Sequence, residues 1–134
     1  MITKSIWWKV RLLLLLCIVM CLHSIAQEAG CKSVHEGKFR VTTKETGTTV
    51  VTRTKAIQTE ENESFGVIMT FDITWIDDCT YTLRPKKVLK GDPRLANKNI
   101  LVTVRIKDVN KNSYQAETTS NFSDVVMTMK VEIL

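Results

Sequence analysis

The chain has 134 residues, 44% of them hydrophobic and 25% charged, with 19 basic and 14 acidic side chains. That length holds one ordinary domain. The basic excess sits at the start: residues 1–26 hold Lys4, Lys9 and Arg11 and no acid, leaving 16 basic against 14 acidic residues beyond them, too balanced for a nucleic-acid footprint.

Those three cations precede an unbroken apolar run from Leu12 to Leu22, and Ser24-Ile25-Ala26 then places small residues three and one positions before Gln27. This is the layout of a secretory signal peptide, residues 1–26, cut after Ala26. The run falls well short of the roughly 20 residues a spanning helix needs, so no membrane span is expected after cleavage. A lipid anchor on Cys31 is the lesser reading, because Glu28 stands where an aliphatic residue is needed. Export places the product in the periplasm, the outer envelope or the extracellular medium. Cys17 and Cys21 leave with the leader. Cys31 and Cys79 remain, an even pair in an oxidising compartment, and a disulfide between them is expected. Closing that loop would stabilise the fold by about 4 kcal/mol on chain-entropy grounds.

Residues 27–134 read as a single antiparallel β domain. Lys38–Thr43 and Thr48–Arg53 form short strands around the turn Glu45-Thr46-Gly47, and Ile57–Glu61 follows. Val67, Met69, Phe71, Ile73 and Trp75 then alternate with Ile68, Thr70, Asp72, Thr74 and Ile76, the period of a strand with one buried face. Asp77-Asp78 turns the chain into Thr80–Arg84. Pro85 to Asn99, with Gly91, Asp92 and Pro93 inside it, reads as a loop with one helical turn, its Lys86, Lys87, Lys90 and Arg94 forming a solvated face. Alternation resumes at Ile100, Val102, Val104 and Ile106, passes the turn Asn110-Lys111-Asn112 into Ser113–Thr119, and ends with Val125, Met127, Met129, Val131 and Ile133.

About eight strands joined mostly by short turns make an antiparallel meander. Single-faced strands of this number must curl to bury their apolar side. The expected fold is therefore all-β, an up-and-down barrel or curved half-barrel after an N-terminal signal helix, with a sandwich as runner-up. Eight strands leave an interior that side chains fill or that holds one small ligand.

The order Cys31, Gly37-x-Phe39, Arg53, Gln58-x-Glu60 and Trp75-Ile76-x-x-Cys79-x-Tyr81-x-Leu83 resembles a group of small exported bacterial all-β proteins of unassigned activity, lipocalin-like in outline. The resemblance covers roughly residues 31–83. It implies the fold and the exported location, and no mechanism.

Arg53, Gln58 and Glu60 form the polar group of interest. A four-residue hairpin loop over 54–57 would set Arg53 opposite Gln58 and Val51 opposite Glu60, all on one face. On a concave face, Arg53 and Glu60 would orient a polar head group, with Phe71, Trp75 and Tyr81 as apolar anchors. Such aromatics are also ordinary core residues. Hydrolytic chemistry lacks parts: His35 is the sole histidine after the leader, beside Glu36 and without a nucleophile turn. Asp72, Asp77 and Asp78 lack calcium-loop spacing, and zinc would need more Cys or His. No cofactor, metal or catalytic residue is expected. The expectation is a non-enzymatic binding protein for a small apolar or amphipathic ligand. Its alternative is a protein-interaction or envelope module with a filled core, for instance an inhibitor of a secreted hydrolase, meeting its partner through an edge strand or the Pro85–Asn99 loop.

Overall fold

The structure, a computed structural model, describes residues 30–134; the expected signal peptide lies outside the described residues. Eight strands follow one another: β1 (Gly37–Thr43), β2 (Gly47–Arg53), β3 (Ile57–Asn62), β4 (Val67–Asp77), β5 (Thr80–Lys90), β6 (Val102–Lys107), β7 (Ser113–Ser120) and β8 (Ser123–Ile133). Each pairs antiparallel with the next, and β1 returns to β8, so the sheet closes as an up-and-down barrel. Among the described residues no helix is long and apolar enough to cross a membrane.

The alternation makes the sheet curl onto one face. Phe39, Val51, Ile73, Leu83, Val104, Ile106, Ala116 and Val131 come from seven strands and meet in one buried cluster, while their neighbours in sequence face outward. A flat sheet would leave that whole face in water. Turn chemistry sets the hairpins. Gly47 takes a left-handed φ of 71°, and a Cβ there would lie 2.3 Å from Ser64 Oγ, so the first turn admits only glycine without displacing its neighbour. Asn110 Oδ1 accepts from the amides of Asn112 and Ser113 and shapes the turn before β7.

One element departs from the sequence reading. Pro85 does not end β5, which continues to Lys90; only then come Asp92, which accepts from the Arg94 amide, and a single 3₁₀ turn over Pro93–Leu95. Proline is tolerated because β5 pairs with β6 only through Thr80–Leu83, and beyond that point β4 is its sole partner. Pro85 also sits beside a register shift, where an edge strand accommodates a missing N–H.

The meander gives the barrel two unlike ends. At one, the turns β2–β3, β4–β5 and β6–β7 are joined by a helical turn at residues 30–32, whose Cys31 is bonded to Cys79 with the Cα atoms 5.1 Å apart. Cys31 and Val34 are buried there as a plug. At the other end lie the turns β1–β2, β3–β4 and β7–β8 and the β5–β6 loop, with no plug among the described residues.

Candidate functional site

The closed end is organised by a buried cation. Arg53 ends β2 on its inward face and is 3% exposed. Its Nε–H donates to Gln58 Oε1 at 2.9 Å, Nη1 to the Val34 carbonyl at 2.7 Å, and Nη2 to the phenol oxygens of Tyr81 and Tyr114 at 2.8 and 3.2 Å. The guanidinium carbon lies 4.8 Å from the Phe39 ring centre and 4.7 Å from that of Tyr81, so the ring quadrupoles add to the hydrogen bonds. Burial pushes the Tyr81 phenol well above its usual range, and it stays protonated as a neutral acceptor.

The hairpin between β2 and β3 has the register expected from its short loop: Arg53 opposite Gln58, Val51 opposite Glu60. Gln58 passes the contact along the strand, donating from Nε2 to Glu60 Oε1 at 2.7 Å. Its amide has one possible orientation, because an arginine only donates and must face the carbonyl oxygen. Glu60 is half-buried, and burial raises its pKa above the ordinary carboxylate value despite the Gln58 bond and the Arg53 charge, which both lower it.

Trp75 lies on the same inward face but at the plug. Its ring stacks on His35 at 3.5 Å between centres and tilts against Tyr81 at 4.7 Å. The His35 Nε2–H donates to the Asp78 carbonyl, which ties the plug to the β4–β5 turn a second time. Phe71 stands opposite Gln58 on β4, half-buried against the core. Thus all six residues singled out in the sequence face the interior; Arg53, Gln58, Glu60 and Tyr81 join in one hydrogen-bonded chain, and Trp75 leans on its end. The partners that sequence reasoning missed are Tyr114, the Val34 carbonyl and Phe39. Strand parity puts Tyr114 on the same face as Ala116, but nothing local connects β7 with β2.

No family model, curated protein or solved structure matches the chain. The site must be read from its own geometry.

Away from the plug the inward face is less covered. Val41, Val102 and Met129 share the inward face, pack against the core and remain partly exposed. Met127, two residues before Met129 on the same face, is 53% exposed. Around them, Phe65, Leu89, Leu95, Phe122, Val125 and Val126 are exposed as well, all on turns or strand ends at this side of the barrel. Ile76 and Leu134 are exposed at the plugged end, but most of the exposed large apolar residues gather at this rim, and such a gathering marks an interaction site. A recess of about 380 Å³, lined by Asp77, Thr80, Thr103, Arg105, Glu117 and Thr119, lies on the outer wall instead. Among the described residues no three His, Cys, Asp or Glu side chains converge to hold a metal ion.

Proposed function

We propose that the domain is a non-enzymatic exported binding protein whose open barrel end takes a small apolar or amphipathic ligand. The observation that carries this is the contrast between the two ends. One is plugged, bonded through Cys31–Cys79 and floored by a cation with its hydrogen bonds made. The other leaves inward-facing Val41, Val102, Met127 and Met129 in contact with solvent. Folding alone gives no reason to leave an apolar wall wet at one end, whereas a ligand that completes it gains the burial term. The disulfide supports export, since such bonds persist in oxidising compartments.

Native mass spectrometry of the protein purified from its own host tests the reading. A bound mass of lipid size is the expected result. A clean apo mass, together with no heat on titration of apolar ligands, overturns it.

A second reading has its own observation. β8 is paired with β1 only through Val131–Ile133, so Ser123–Lys130 has β7 on one side and nothing on the other among the described residues. An open edge accepts a strand from a protein partner. Thr128→Pro removes an amide on that edge, outside the apolar rim, and separates the two readings: it abolishes strand addition and leaves a ligand in the barrel untouched.

A further inference from the structure

We infer that the barrel ligand carries a hydrogen-bond-donating head group, an amine or an alcohol, seated on Glu60, and that carboxylate ligands are rejected. The inference rests on the small-ligand reading and names its chemistry.

An arginine inside a barrel invites the opposite expectation, a carboxylate held by the guanidinium. Here that contact is blocked. Arg53 has five N–H groups, and four hydrogen bonds leave Nε, Nη1 and Nη2 toward Gln58, Val34, Tyr81 and Tyr114. The Phe39 and Tyr81 rings stand beside it, and the side chain is almost without solvent contact. Only one N–H, on Nη1, is left over, and with 3% of the residue exposed a ligand carboxylate has almost no path to it.

The polarity of the chain of contacts then determines what the lumen presents. Arg53 donates to Gln58, and Gln58 donates to Glu60 Oε1, so every donor points toward Glu60 and the last atom is an acceptor. Among the described residues Glu60 Oε2 has no hydrogen-bond partner, and no fully buried side-chain oxygen lacks one, so Oε2 keeps some solvent contact on the inward face of β3. Its cross-strand neighbours are Val51 on β2 and Met69 on β4, neither of which offers a donor. The result is one inward-facing carboxylate oxygen with free lone pairs between apolar Val51 and Met69, with Thr49 and Asn62 next along the same face. A ligand ammonium forms a charge-assisted bond there, an alcohol a neutral one, and a second carboxylate only repulsion.

The test uses the folded, disulfide-bonded protein at pH 7 with three probes of one tail: dodecylamine, dodecanol and dodecanoate, each below its micelle concentration and titrated by calorimetry. The expected order is amine, then alcohol, then carboxylate, with the amine at least about tenfold tighter than the carboxylate. Glu60→Gln removes the amine's advantage. Met69→Lys, which places a cation across from Glu60, lowers amine affinity and admits dodecanoate, and serves if Glu60→Gln perturbs the fold by circular dichroism. Dodecanoate binding as tightly as the amine, or an order unchanged in both variants, overturns the inference while leaving the small-ligand reading in place. Failure of all three probes overturns that reading and this inference with it.

Discussion

Arg53 and Glu60 are opposite charges inside one barrel that do not touch: Gln58 stands between them, accepting from Arg53 at 2.9 Å and donating to Glu60 at 2.7 Å. The arrangement keeps the cation with the plug and the anion toward the open end. A direct salt bridge would have neutralised both at one point; the intervening amide leaves the carboxylate's second oxygen unspent.

Arg53→Ala tests whether the cation holds the closed end together. The substitution strips donors from the Gln58 and Val34 carbonyls and from two phenols that the core has already desolvated. Removing one partner from a buried charged network costs about 3–5 kcal/mol. The urea midpoint followed by circular dichroism should fall accordingly. A loss under about 1 kcal/mol, the usual value for an exposed contact, would show that the network is dispensable.

Glu60→Gln is expected to act in the other direction. The folded-state pKa of Glu60 lies above its ordinary value of 4.5, so the folded protein binds this proton more readily than the unfolded chain. Its contribution to stability is full below that ordinary value and is lost as pH rises through the folded pKa. Arg53 from β2 and the Tyr81 phenol from β5 face this region, and only Arg53 is charged at neutral pH. Glutamine keeps an oxygen for the Gln58 bond and carries no charge to desolvate. At pH 7 the variant should melt higher by roughly 4 °C, the shift that about 1 kcal/mol brings in a domain of this size. Melting curves across pH 3–8 check it: the gap should close toward acid, and a gap independent of pH would refute the assignment.

Cys31 and Cys79 close a loop of 48 residues in sequence separation, and replacing both by serine should cost about 4 kcal/mol. Chemical denaturation measures that. A thiol assay on the folded protein cleaved after Ala26 should find no free thiol before reduction and two after it. Because the bond anchors the plug, its loss should also free His35 from Trp75, the only tryptophan of residues 27–134, and alter its fluorescence. Unchanged emission in the double variant would mean that the stack stands without the bond.

The register that brings Arg53 to Gln58 was legible in the sequence because it is local: two strands, a short loop and a fixed parity determine it. The run from Val67 to Trp75 was legible for the same reason. What the arginine does there was not. Its partners Val34 and Tyr114 lie 19 and 61 residues away, and only barrel closure brings them in. Closure itself rests on the pairing of Phe39–Val41 with Val131–Ile133, the two ends of the meander, which no local pattern encodes. The Pro85–Lys90 segment misled because proline reads as a strand terminator; it is harmless where β6 stops short and leaves β5 an edge. The alternation in Val125–Ile133 hid a further distinction, since parity puts Met127 and Val131 on one face while only Val131 is covered.

That last distinction makes a residue-level prediction about the seam between β8 and β1. The Ile133 amide donates to Asn112, on the β7 side, and the Leu134 amide donates to Lys38, on the β1 side. Along β8, odd-numbered amides therefore face β7 and even-numbered ones face β1. Glu132 has Arg40 opposite it, but Thr128 and Lys130 have no β1 partner. Hydrogen exchange should alternate accordingly: Met127, Met129 and Val131 slow, Glu132 slow, Thr128 and Lys130 fast. Phe122, Val125 and Val126 of the apolar rim lie on β8 or the turn before it, so a ligand and an added strand meet those amides in different ways. A strand docked on the edge would slow Thr128 and Lys130 by pairing them. A ligand in the lumen would leave them fast while protecting the inward face. Uniform protection across residues 127–132 in the isolated protein would show that the seam is already closed and would remove the edge from consideration.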